Sequence, residues 1–442
     1  MQRMDSSKKG NDMKRRQLLA LTLALVTSSA LPAMAENADQ PYAGTHIAVL
    51  MEGHPTTDGI QKLLPEFTKE TGIEVELEVI PESDITAKML LEFSSGSGRY
   101  DVVQNNIIYI PGFVKAGYID PLDDLTKKLP KHLDRADFVP GYLNTNIVDG
   151  KLYGLPVYGE STFLMYRKDL FEQYGLTPPK TFDEVISAAK TIKEKSNGEI
   201  AGITMRGAQG IQNVYVWAGW LWGYGGEFLT KDGKSALGTP EAAASLDAFA
   251  KVLRDYGPVG AANFGWEENH VLFQQGKAGM TMDATVNGAF NEDPAVSSVV
   301  GKVGYVPVPK QTDALKGGSS SLAVHSLYIT SASAQKEAAW LFVSWATAKE
   351  QQIKSFSIAP NSGVTSEAAL NSDEFNKRYG AFKEAMLASI NQGNPQYLPT
   401  VTAANEIINN AGIAVSKALA GTASAKDALA EANTANDAAL AR

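Results

Sequence analysis

His46-Ile-Ala-Val-Leu-Met51 is an unbroken apolar run of strand length, and it is followed by Ile73-Glu-Val-Glu-Leu-Glu-Val79, in which apolar and acidic residues alternate. Alternation with a period of two marks a strand with one face buried. Between these runs Ile60, Leu63, Leu64 and Phe67 fall at i, i+3, i+4 and i+7, one face of a helix. Glu52 to Asp58 reads as a polar loop, with Asp58 as N-cap, Gln61 three residues on, and Thr71-Gly72 as the stop. Strand, helix and strand in succession predict an α/β protein with mainly parallel sheets.

The same grammar continues outward. Asp101-Val-Val-Gln104 is a short strand leading into Asn105-Asn106, and Gly154-Leu-Pro-Val157 leads into Tyr158-Gly-Glu-Ser161. Thr181-Phe-Asp-Glu184 is a capping box that opens a helix, and Thr239-Pro240 opens another with proline in the first turn, where its missing N–H costs nothing. Ser333 to Thr347 is amphipathic, which places Trp340 and Trp345 in a core. The alanine-rich tail from Thr402 reads as helix broken at Gly412 and Gly421. No repeat or disordered linker separates domains, so the chain is expected to pass between them more than once.

The chain has 442 residues, no cysteine and a net charge of −9. Missing cysteine excludes disulfides, thiolate metal sites, catalytic thiols and a lipid anchor through sulfur. The acidic balance argues against a nucleic-acid partner. Met13-Lys-Arg-Arg16, the apolar run Leu18 to Val26 and Ala33-Met-Ala35 have the three parts of a secretory signal peptide over 1–35, exported by either the general or the twin-arginine route. The run is too short for the ~20 residues of a membrane span. Residues 1–35 carry six Lys/Arg and two Asp/Glu, so the remaining 407 residues stand at −13. At roughly 150 residues per domain, two or three domains are expected.

No HExxH, GxSxG, P-loop or GxGxxG is present, so no metal or cofactor is expected. In open α/β sheets ligands bind beyond the carboxyl ends of strands. Those ends carry Glu52-Gly53-His54, Asn105, Asn106 and Tyr109, and Glu160. Amides and carboxylates there can bond hydroxyls, and aromatic rings can pack on the C–H faces of a carbohydrate. A glycosidase built on Glu52 and Glu160 stays open, because such acids can come from anywhere in a chain. His132 and His270 read as surface residues, and Asp283 as either a ligand group or a brace.

Six segments carry a resemblance. They are Asp101-Val-Val-Gln104 with Gly117-Tyr-Ile-Asp-Pro-Leu122, and Gly154-Leu-Pro156 through Glu160-Ser-Thr-Phe-Leu-Met-Tyr166, Lys168-Asp-Leu-Phe171 and Pro178-Pro-Lys-Thr-Phe-Asp-Glu184. Tyr224-Gly-Gly-Glu227, Phe273-Gln-Gln-Gly-Lys-Ala-Gly-Met280, Gly317-Gly318 and Ala338-Ala-Trp-Leu-Phe342 follow. In this order they resemble the extracellular solute-binding proteins of the maltose-binding type, which serve carbohydrate ABC transporters. The resemblance implies two α/β lobes joined by three crossovers, near 157–160, 305–309 and 348–352, with the ligand in the cleft between them. The implied lobe parts are 36–157 and 307–350 for the N-lobe, and 158–306 and 351–442 for the C-lobe.

It also implies a non-enzymatic, monomeric periplasmic protein that closes on a sugar or sugar alcohol and delivers it to membrane permease subunits. By position, Glu52, His54, Asn105, Asn106 and Tyr109 fall on N-lobe ligand loops. Glu160 stands where relatives often carry Asp, and Tyr215 matches an aromatic position of the C-lobe. Asp283 and Thr285 occupy a segment that has lost a Trp, and His325 replaces a stacking Trp. Arg206 lies in a segment similar to that of subgroups binding small sugars and sugar alcohols. Loss of two stacking Trp positions points away from a long maltodextrin. A secreted carbohydrate-active enzyme and a binder of a non-sugar solute are the alternatives.

Overall fold

A computed structural model describes residues 40–311, 319–394 and 396–442. The signal segment 1–35 and Gly317-Gly318 lie outside the described residues. The strands are β1 (His46–Glu52), β2 (Glu74–Ile80), β3 (Val102–Asn106), β4 (Ile147–Val148), β5 (Lys151–Leu152), β6 (Gly154–Glu160), β7 (Thr162–Arg167), β8 (Met280–Ala284), β9 (Val303–Pro307) and β10 (Ala323–Ile329). They form a five-stranded sheet ordered β2-β1-β3-β10-β6, a three-stranded sheet ordered β8-β7-β9, and the hairpin β4-β5.

β1 pairs in parallel with β2 and β3, as a βαβ unit requires. Ile47, Val49 and Met51 project to one face, into a core with Phe67, Trp340 and Trp345, while Leu50 projects to the other with Ile85 and Met89. The expectation of mainly parallel sheets fails elsewhere. β10 is antiparallel to β3 and β6, and β7 is antiparallel to β8 and β9. The parallel rule belongs to strands joined by a helical crossover within one sheet. β10 instead enters its sheet from the other one.

The first chain passage between the sheets is short. Only Ser161 separates β6 from β7, and the return runs from β9 to β10. The third passage follows the helix Lys349–Ser355, beyond which Phe356 and Val364 belong to the core of the smaller sheet. It runs beside β6, where Gly159 N–H donates to Gly363 O at 3.0 Å and Thr365 Oγ1 to Pro156 O at 3.0 Å.

The first helix, Pro55–Thr71, starts earlier than the sequence suggests. His54 rather than Asp58 is its cap: Nδ1 accepts the Thr56 N–H at 3.2 Å, and Pro55 at the first position loses no bond. The turn after β1 therefore contracts to Gly53-His54, which sets the Glu52 and His54 side chains at the mouth of the sheet. The capping box at Thr181 and Glu184 forms in both halves, and Thr239 caps the helix Pro240–Tyr256. Gly412 does not break its helix, Ala404–Ala420. A Cβ there would lie 2.6 Å from the Gly210 nitrogen, so this glycine permits close backbone approach. Among the described residues no helix is long and apolar enough to cross a membrane.

Candidate ligand cleft

A cavity of about 460 Å³, including its mouth, lies between the two sheets. One wall is Glu52, Gly53 and His54 at the end of β1, Glu82, Asn106 at the end of β3, Tyr158 and Glu160 on β6, and Ala323 and His325 on β10. The other is Arg206, Ile211, Tyr215, Trp266 and Val286.

Strand register builds the first wall. His325 stands opposite Asn106 on one side and opposite Tyr158 on the other, so three side chains form one row across β3, β10 and β6. Tyr158 is sandwiched between His54, at 4.0 Å and 5°, and His325, at 4.4 Å and 18°. Its hydroxyl donates to Glu52 Oε1. His325 Nδ1 approaches the same oxygen at 3.0 Å, off the hydrogen-bond axis. Burial pushes the Glu52 carboxyl up, but His325 and the Tyr158 hydroxyl reverse this and hold it below its usual range.

Burial alone would lower the His325 ring, and Glu52 turns the net direction upward. Asn106 argues for a neutral ring all the same. Its Oδ1 accepts the Ile108 N–H at 3.1 Å, which leaves Nδ2 facing His325 Nε2 at 3.0 Å as a donor to a lone pair. Burial brings His54 down to about 3. Since its Nδ1 accepts from Thr56, its Nε2 carries the proton.

Besides His325 Nδ1, three buried polar atoms lining this cavity have no hydrogen-bond partner: Glu52 Oε2, His54 Nε2 and Glu160 Oε2. Orphaned buried polar atoms cost about 1–3 kcal/mol each unless something satisfies them. Burial raises Glu160 to about 8, with Arg206 and His325 pulling the other way. At neutral pH Glu160 is therefore a carboxylic acid, able to donate as well as accept.

On the opposite wall Arg206 donates to Asp283 through Nε at 3.0 Å and Nη2 at 2.6 Å, and through Nη1 to Gln212 Oε1 at 3.2 Å. Burial would lower the guanidinium pKa, but Asp283 raises it. Asp283 also accepts from Asn269 Nδ2 and the Ala284 N–H. The two walls meet where Gln212 Nε2 donates to Glu82 Oε2 at 3.1 Å.

The cavity thus gathers Glu52, His54, Asn106, Glu160, Arg206, Tyr215 and His325 from the sequence-based set. Four expected residues lie elsewhere. Asn105 projects to the far face of β3, bonding Thr86 and Met89, as strand alternation next to Asn106 demands. Tyr109 packs on Phe113. Asp283 is wholly buried behind Arg206 and braces it. Thr285 Oγ1 accepts the Ser161 N–H at 3.2 Å, tying down the first passage between sheets. His270, expected at the surface, is 7% exposed and stacked on Phe290 at 4.9 Å.

Glu82, Tyr158 and Trp266 were missed. Tyr158 was findable, because it lies two residues before Glu160 and so shares its face of β6. Glu82 and Trp266 sit at helix starts after Pro81 and Gly265, with no local signal of their own. Among the described residues no group of three or more His, Cys, Asp or Glu could hold a metal ion.

Comparisons with known proteins agree with this architecture. The profile of the bacterial extracellular solute-binding proteins matches residues 53–353. The mannitol-binding protein of Pseudomonas aeruginosa is 29% identical over 275 residues, 61% of each chain, so the match spans less than two thirds of that relative. Two crystal structures superpose over nearly the whole chain. The ABC transporter solute-binding protein of Agrobacterium radiobacter in complex with ribitol has a TM-score of 0.84 and 27% identity, covering 90% of this chain and 100% of that one. That of Agrobacterium vitis with bound D-mannitol has a TM-score of 0.81 and 30% identity, covering 89% and 98%.

Proposed function

The chain belongs to the bacterial extracellular solute-binding proteins, and from that premise we propose that it is the periplasmic binding component of an ABC importer for a small sugar or sugar alcohol. The observation that carries this reading is the convergence of Glu52 Oε2, His54 Nε2 and Glu160 Oε2, buried and unpartnered, on a cleft between two sheets. His54 offers a donor, Glu52 an acceptor and Glu160 both. Neighbouring hydroxyls can satisfy all three, which is the demand a polyol or sugar meets. The self-stacked rings of His54, Tyr158 and His325 do not favour a long stacked oligosaccharide.

The mechanism is hinge closure. Ligand bonded to both walls holds them together and shifts the population toward the closed form, which permease subunits in the membrane then recognise. The hinges are the passages expected near 157–160, 305–309 and 348–352. The protein acts as a monomer, and export removes 1–35, so N-terminal sequencing of the exported protein should begin after Ala35.

A thermal-shift panel of alditols, monosaccharides and maltodextrins tests the ligand class. A ligand at ~100 times its Kd adds ~2.7 kcal/mol, an easily read rise in Tm. Stabilisation by maltodextrins alone would sink the small-ligand reading. One observation favours a second reading: Glu52 is held below and Glu160 above the usual carboxyl range in one cavity, the division of labour of a glycosidase. Incubation with glycosides decides it, and no release of reducing ends is expected.

A further inference from the structure

An arginine in a binding cleft ordinarily invites an acidic ligand. The charge balance of this cleft points the other way. Arg206 meets Asp283 at 2.6 and 3.0 Å, and Asp283 is wholly buried behind it, so the cation is cancelled within its own wall. Glu52 has a weaker counterpart, His325 Nδ1, which lies 3.0 Å from Oε1 but off the hydrogen-bond axis. It is 1% exposed, its Oε1 accepts from a neutral tyrosine hydroxyl, and its Oε2 is unpartnered. The His325 ring beside it receives a proton donor from Asn106, which suits a neutral imidazole. Glu82 adds a second carboxylate, bonded to the neutral Gln212 amide and 3.9 Å from an arginine already spoken for.

We infer that the cleft excludes anionic ligands and that Glu52 is the discriminating residue. A neutral hydroxyl donates to its free oxygen, whereas a carboxylate or phosphate on the same carbon skeleton brings like charge against it where water cannot screen. The repulsion is stronger there than between exposed charges. Sugar acids and sugar phosphates are refused, and an amino-substituted polyol, whose ammonium would pair with Glu52, is accepted. Glu160, protonated at neutral pH with its carboxyl near 8, adds no positive charge to offset this.

This inference rests on the reading of the cleft as a sugar or polyol site, and one experiment separates the two. Isothermal titration at pH 7.5 compares D-mannitol with D-mannonate and D-glucose with D-glucuronate. In the wild-type protein each acid is expected to bind at least ~100-fold more weakly than its neutral partner. In Glu52→Gln, which keeps the side-chain shape, the gap should fall below ~10-fold, with folding checked by Tm. An acid within threefold of its neutral partner, or a gap unchanged in Glu52→Gln, overturns the charge rule while leaving the polyol reading intact. If only maltodextrins bind, the polyol reading fails instead. The charge rule is then read from maltose against maltobionate, by the same two criteria.

Discussion

Glu160 keeps its proton because burial penalises the carboxylate more than Arg206 and His325 reward it. Its pKa in the fold, about 8, lies above the ordinary 4.5, so the fold prefers the protonated form. That contribution is full below the ordinary value and is lost as pH rises toward 8. Wild-type Tm should therefore fall more between pH 5 and pH 9 than that of Glu160→Gln, which has no proton to lose. Equal slopes would place Glu160 in contact with water. Tyr158→Phe tests the neighbouring network. The ring stack on His54 and His325 survives, but Glu52 Oε1 loses its hydroxyl donor, a bond to a charged group worth about 1.5–3 kcal/mol. Ligand affinity should drop by roughly tenfold or more with little change in far-UV circular dichroism. At this scale the sequence was partly legible. Glu52, His54, Asn106 and Glu160 announce themselves at strand ends and His325 through the family resemblance, but Asp283 and Thr285 look like ligand groups until their buried partners are known.

β6 shows what an element adds to its residues. It carries Tyr158 and Glu160 on the cleft face, with Gly159 between them pointing away. A Cβ on Gly159 would lie 2.4 Å from the ring of Tyr142, which is fully buried and has little room to move. Gly159→Ala should cost ~1–3 kcal/mol by overpacking, read as a lower Tm, and should displace both cleft residues so that affinity falls too. Unchanged Tm would mean that Tyr142 can shift. Caps at Thr181 and Thr239 were legible because their chemistry is local. The His54 cap was not, since histidine is a rare cap and its role emerges only with the turn cut to Gly53-His54. The antiparallel entry of β10 was equally hidden, because strand direction depends on where the preceding segment comes from and periodicity is blind to that.

Across the whole molecule, the two walls of the cleft already touch through Glu82 and Gln212. Such a hydrogen bond to a charged group is worth about 1.5–3 kcal/mol, enough to bias closure by roughly tenfold or more. Glu82→Ala should raise the radius of gyration of the ligand-free protein in small-angle X-ray scattering, and added ligand should restore it. An unchanged radius would show that the contact does not bias closure. The two-lobed plan was legible because six ordered segments resembled one family, while no single helix or strand required it. The place of β10 has a consequence for how the chain becomes a structure during synthesis. It lies between β3 and β6, and among the described residues β6 has no other neighbour in its sheet. A ribosome must therefore deliver residue 329 before a strand finished at residue 160 can pair. Until then the first third of the protein is an unfinished sheet with its middle missing, and folding cannot proceed lobe by lobe in the order of translation. A fragment ending at residue 311 should stay protease-sensitive throughout 40–160. Extending the chain through residue 346 supplies β10 and the helix Lys336–Ala346, and should make 40–160 protease-resistant.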